Sequence, residues 1–83
     1  MKPHFSLKFI YMIILITVFT IIHYITSQYG AHYNIGQLTF VDSIYYTTTS
    51  AGMIGFGDIY PVSNISKLII AALILGFLWI LFM

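Results

Sequence analysis

Residues 39–58 read TFVDSIYYTTTSAGMIGFGD, and the fold turns on what this stretch can become. Thr39 with Asp42 is a Thr-x-x-Asp helix-start signal, and an acid in the first turn complements the helix dipole. The signal predicts a helix over 40–52, ending where Gly52, Gly55 and Gly57 crowd together. At ~1.5 Å per residue such a helix covers roughly 20 Å, too little to cross a hydrocarbon layer of ~30 Å. A short helix running into a glycine-rich turn reads as a re-entrant element. Such backbone survives at membrane depth only where it is packed in protein or lines water.

The flanks supply the membrane. Residues 9–25 read FIYMIILITVFTIIHYI and residues 65–83 read ISKLIIAALILGFLWILFM. As helices they cover roughly 26 and 28 Å, close to the hydrocarbon thickness. The first is rich in Val, Ile and Thr, which favour strands in water. In lipid the backbone must satisfy itself within the segment, so a run of this length is a helix. A signal peptide is the alternative for the first run. Its apolar length exceeds the usual ~7–15 residues, and the HYITSQYG that ends it lacks a small-x-small cleavage site.

Bulk composition agrees. Hydrophobic residues make up 60% of the 83 and charged residues 6%, against about a quarter charged in a soluble domain. Lys2, Lys8, Asp42, Asp58 and Lys67 are the only formal side-chain charges. A chain this short cannot enclose a conduit alone, so any pore needs several copies. Absence of cysteine removes disulfides and thiolate metal sites. A net charge of +1 without a basic run gives no reason to expect a nucleic-acid partner. Lys2 and Lys8 before the first span favour a cytoplasmic N-terminus, and two spans return the C-terminus to the same side. Lys67, near the outer end of the second span, weakly opposes this. The second span runs to the last residue, so no cytoplasmic tail domain is expected.

Met53-Ile54-Gly55-Phe56-Gly57-Asp58 carries the chemistry. Glycine at alternate positions permits left-handed backbone angles beside right-handed ones. That alternation turns successive carbonyls to one side of an extended strand, with Ile54 and Phe56 pointing the other way into packing. Four such strands around an axis present stacked rings of oxygen that replace a cation's water shell. No side-chain charge is needed. A loop or phosphate cradle is the plain alternative for the glycines, but neither a P-loop lysine nor a preceding strand is present.

Gly55-Phe56-Gly57-Asp58 behind Ile54 resembles the potassium-channel selectivity signature, whose common form is threonine-valine-glycine-tyrosine-glycine. The layout is similar to that family's pore module, most of all to the miniature channels encoded by viruses of algae. The resemblance implies an all-α membrane fold with a single module over 1–83. Residues 1–8 would be a cytoplasmic N-terminus, 9–26 an outer transmembrane helix and 27–39 a turret. Residues 40–52 would form a pore helix, 53–58 the filter, 59–63 an outer loop and 64–83 an inner transmembrane helix. It implies a homotetramer in membrane lipid, K+ as permeant ion and no other cofactor or metal, and no enzymatic activity. If the chain is viral, a host-cell membrane is its place. Filter carbonyls would come from Met53, Ile54, Gly55 and Phe56. Gly57, Asp58, Tyr45 and Tyr46 would support them, Asp58 through hydrogen bonds.

Two departures stand out. Most of the family has threonine where this chain has Met53, often with another where it has Gly52, and the threonine replaced by Met53 adds hydroxyls to the innermost ion site. Methionine offers only a weak thioether acceptor, so a weakened innermost site is expected, with a nonselective or nonconducting pore as the alternative. Thr49 stands where several members carry an acid that pairs with the aspartate after the filter, which leaves the tyrosines and packing to hold the strand.

Other residues read more simply. His4, His23 and His32 lack metal-ligand spacing; His23 suits an interfacial position and His32 a pH-sensitive turret. Tyr24, Tyr29, Tyr33 and Trp79 suit interfacial belts. Asn64-Ile65-Ser66 matches a glycosylation acceptor that abuts the second span. Gly76 serves as a hinge or, more simply, a close helix contact, and Phe77, Trp79 and Phe82 could form a dewetting gate. Lys2 and Lys8 are placed to meet lipid headgroups or the Met83 carboxylate. A lytic hairpin explains two spans but not the ordered glycine-aromatic-glycine-acid run. A subunit that assembles with a larger channel is a second competitor. An intramembrane enzyme lacks a base or nucleophile cluster.

Overall fold

The computed structural model describes the backbone of residues 3–83 and the side chains of residues 7–83. What was expected of Lys2 and of the His4 side chain lies outside them. The chain is all-α, with α1 over Pro3–Gln28, α2 over Phe40–Ala51 and α3 over Asn64–Leu81. It measures 43 Å along its long axis and 20 Å across. Leu7–Gln28 and Asn64–Leu81 are long and apolar enough to cross a membrane, and only 11% of each is buried within the chain. A core helix of a water-soluble domain would be mostly buried; these are not.

α1 begins well before its apolar run. Proline is tolerated in a first helical turn, where its missing N–H has no partner to lose, and the helix from Pro3 takes in Lys8. Lys8 Nζ donates to the Leu81 carbonyl at 3.3 Å. The lysine thus meets an unpaired carbonyl at the end of α3, where the helix dipole favours a cation, and not the Met83 carboxylate.

The inner face of α1 is a polar stripe. Thr20, His23 and Ser27, at i, i+3 and i+7, are buried. α2 buries Ser43, Tyr46, Thr47 and Ala51 at the same helical spacing. Small side chains let two backbones approach closely, and Ser27 and Ser43 return their hydroxyls to Tyr24 and Thr39 carbonyls at 2.7 and 3.0 Å. His23 is fully buried, so the interfacial position expected for it is wrong. Its ring meets Tyr33 and Tyr46 edge-on, centroids 5.7 and 5.0 Å away, and Nδ1 shares a 2.5 Å hydrogen bond with the Tyr33 hydroxyl.

One cluster ties the parts together: Tyr33, Leu38, Tyr46 and Ile59 are buried, with Ile70 of α3 against them. α2 starts at a complete capping box, Thr39 Oγ1 accepting from Asp42 N–H and Asp42 Oδ2 from Thr39 N–H. Ser63 and Ser66 form the equivalent box at the start of α3. Ser66, the last residue of the Asn64-Ile65-Ser66 motif, is buried and also donates to the His32 carbonyl at 2.7 Å. At Gly76 an added Cβ would lie 3.5 and 3.6 Å from the Leu15 methyls. This glycine is a close contact between α3 and α1.

Candidate functional site

The extended stretch after α2, residues 53–58, is held at its α2 end by main-chain atoms. Gly52 N–H bonds the Thr48 carbonyl and Met53 N–H the Ser50 carbonyl, at 3.0 and 3.1 Å. The Thr49 carbonyl then accepts two donors, Ile54 N–H at 2.9 Å and Gly55 N–H at 3.3 Å. From Met53 to Gly57 φ alternates in sign. It is positive at Met53 (60°), Gly55 (55°) and Gly57 (82°), and at neither residue between them. Glycine adopts these angles freely, whereas Met53 does so against its own Cβ. Among the described residues, no hydrogen bond is donated to any carbonyl from Met53 to Gly57. A run of unpaired carbonyls has the donor set of a weakly hydrated cation's coordination shell. Side chains offer no competitor, since no group of three or more His, Asp or Glu comes together among the described residues.

The Asp58 end is held by side chains. Tyr45 Oη donates to Asp58 Oδ2 at 2.8 Å, while Asp58 Oδ1 accepts from Ile59 N–H at 3.1 Å. The Tyr45 ring stacks on Phe56 with centroids 6.2 Å apart and planes 5° from parallel. The bond to Asp58 raises the Tyr45 phenol above its ordinary range, with burial and the nearby carboxylate adding to it. One side chain of α2 therefore braces both the aromatic residue of the strand and the acid that ends it.

Tyr46, one residue on, faces the other way. It is buried among His23, Tyr33 and Ile59, and its hydroxyl has no partner among the described residues. A helix turns about 100° per residue, so adjacent tyrosines cannot both lie against one strand of their own chain. Tyr46 secures Ile59, next to Asp58, rather than the strand itself. Burial, and then Tyr33, push its phenol up, and burial pushes Tyr33 up to about 12. The hydroxyl of Thr49 returns to the Tyr45 carbonyl at 2.9 Å, so the threonine serves the strand through its carbonyl and not its side chain.

Asn34, which the sequence did not single out, grips the same Asp58 end. Its Nδ2 donates to the Asp58 carbonyl at 2.8 Å, its Oδ1 accepts from Tyr60 N–H at 2.7 Å, and its N–H donates to the Tyr60 carbonyl at 3.0 Å. His32, half-buried, shares a 2.6 Å bond with the cap residue Ser63. Nothing local marks either residue, because the partners lie 24 to 31 residues downstream.

Gly76, Phe77, Trp79 and Phe82 do not gather into one site. Gly76 meets α1, Phe77 is half-buried, and Trp79 and Phe82 are exposed, lining an open groove with Leu75, Leu78 and Met83. The strand's own apolar residues are also uncovered, Ile54 being 60% and Phe56 66% exposed.

A family model described as ion channel matches residues 8–83. No curated protein and no solved structure matches the chain. The match takes in α2, the strand, α3 and nearly all of α1, and the chain, a membrane protein with two apolar spans, belongs to this ion channel family.

Proposed function

We propose that four copies of the chain surround one axis and conduct K+ passively through rings of carbonyl oxygen from Met53, Ile54, Gly55 and Phe56. One observation carries this: φ is positive at 53, 55 and 57 and not between them, while no described residue donates to a carbonyl from 53 to 57. A strand with that alternation offers its oxygens to one side, and four strands complete each ring. The uncovered Met53, Ile54 and Phe56 side chains support an assembly in which neighbouring copies cover them. The positive charges of Lys2 and Lys8 before the first span support cytoplasmic termini, with Lys67 weakly opposing. Trp79 and Phe82, apolar and exposed near the inner mouth, form the dewetting constriction; Phe82→Ala then raises open probability, and an unchanged value removes that residue from the gate.

Purified protein in a planar bilayer, with K+ on one side and an equal concentration of Na+ on the other, tests the function. The reversal potential is expected well toward the K+ equilibrium value. Reversal near zero overturns selectivity, and crosslinking that stops short of four copies overturns the tetramer. The second reading, a nonselective or nonconducting pore, rests on Met53, whose side chain brings no hydroxyl to the innermost ring. Reversal near zero, or silence from an assembled tetramer, selects it.

A further inference from the structure

The run of free carbonyls has a sharp outer limit. Gly57 ends it, because the next carbonyl, that of Asp58, is taken by Asn34 Nδ2 at 2.8 Å. The same carboxamide accepts from Tyr60 N–H at 2.7 Å, and Asn34 N–H returns to the Tyr60 carbonyl at 3.0 Å. Both main-chain groups of Tyr60 and the carbonyl of Asp58 are thus held by one residue. Asn34 is itself fixed from below. Its neighbour Tyr33 is buried against His23 and Tyr46 and bridges Pro61, and Val62 N–H bonds the His32 carbonyl at 2.9 Å. A single exposed hydrogen bond contributes little in water. Three bonds on one anchored residue are ordered together, and the anchoring is supplied by the buried tyrosine.

We infer that Asn34 is a positioning residue for ion selection: by engaging the Asp58 carbonyl it closes the run of free carbonyls at Gly57 and fixes the geometry of the outermost ring, that of Phe56. This rests on the potassium-pore proposal above. The carboxamide is suited to the task because it donates and accepts at once without bringing a charge to the mouth. Ala at this position loses both bonds. Asp keeps the acceptor for Tyr60 N–H but has no donor for the Asp58 carbonyl.

Parent, Asn34→Ala and Asn34→Asp are compared in bilayers with K+ opposite Na+, and by amide hydrogen exchange at Tyr60. Both variants are expected to lose about tenfold in K+ over Na+ permeability, the scale of one to two net hydrogen bonds. For a monovalent ion that moves reversal about 59 mV toward zero. Exchange at Tyr60 accelerates in Asn34→Ala and stays slow in Asn34→Asp, which separates the Asp58 contact from general loosening. Parental reversal potentials in both variants overturn the inference. Failure of both variants to assemble also overturns it, by making Asn34 a structural residue only. A parent that itself reverses near zero fails the potassium reading, and the inference with it, whereas a selective parent with unshifted variants fails the inference alone.

Discussion

Tyr45 makes two contacts of different chemistry, and one atom separates them. Tyr45→Phe keeps the stack on Phe56 and removes the donor to Asp58. With the strand's outer end released, current through the variant is expected to decay during sustained recording while the parent's persists. The pH dependence has a definite sign. The bond needs the neutral phenol and raises its pKa, so the stabilisation is complete below the ordinary tyrosine range near ~10 and is lost as pH climbs through the raised value. Parent current therefore falls with external alkalinity, and Tyr45→Phe lacks that component; an identical alkaline decline in both excludes the bond as its origin. Met53 is the other residue with a consequence of its own. A left-handed non-glycine residue costs about 1–2 kcal/mol, and a β-branched one is a greater outlier. The thermal stability of the assembled protein is expected to rank Met53→Gly above parent and parent above Met53→Thr. Block by internal Ba2+ runs the other way for threonine, whose hydroxyl strengthens the innermost site; unchanged Ba2+ affinity in Met53→Thr removes that role.

Elements explain which parts were readable in advance. α2 was legible because its start is written within four residues: Thr39 and Asp42 form the reciprocal cap that their spacing implies. Thr39→Ala is expected to cost about 1 kcal/mol, seen as a lower melting midpoint of the purified protein. The two spans were legible from apolar length, and the strand from alternating glycines. The contacts holding the strand were only half legible. Tyr45 and Asp58 could be named because aromatic and acidic residues stand at family positions. Asn34 and His23 could not, since a lone amide in a connector and a lone histidine in an apolar helix acquire meaning only from residues brought beside them by folding. Gly76 belongs to this scale too. Leu15 leaves room for one methyl group, so Gly76→Ala is expected to fold and melt like the parent or slightly higher. Gly76→Leu overpacks the α1–α3 contact by about 1–3 kcal/mol and lowers the midpoint.

At the scale of the whole molecule, the chain is apolar on nearly every side, including the strand that carries the chemistry. Ile54 and Phe56 find little cover within their own chain, so ordering the strand and assembling the proposed tetramer are one event. An ion that binds only the assembled form stabilises it by mass action, by about 2.7 kcal/mol at a hundred times its dissociation constant. Thermal dissociation of the tetramer on a gel is expected at higher temperature in K+ than in Na+ at equal ionic strength, and equal temperatures argue against ion sites between the copies.

Thr49 gives the strand its inner anchor through a carbonyl that takes the N–H of Ile54 and of Gly55. Every amino acid carries that oxygen. Descendants of this chain can therefore exchange the side chain at 49 for any helix-compatible residue and still inherit the tether. A change of side chain at 49 thus leaves the strand's tether where it is.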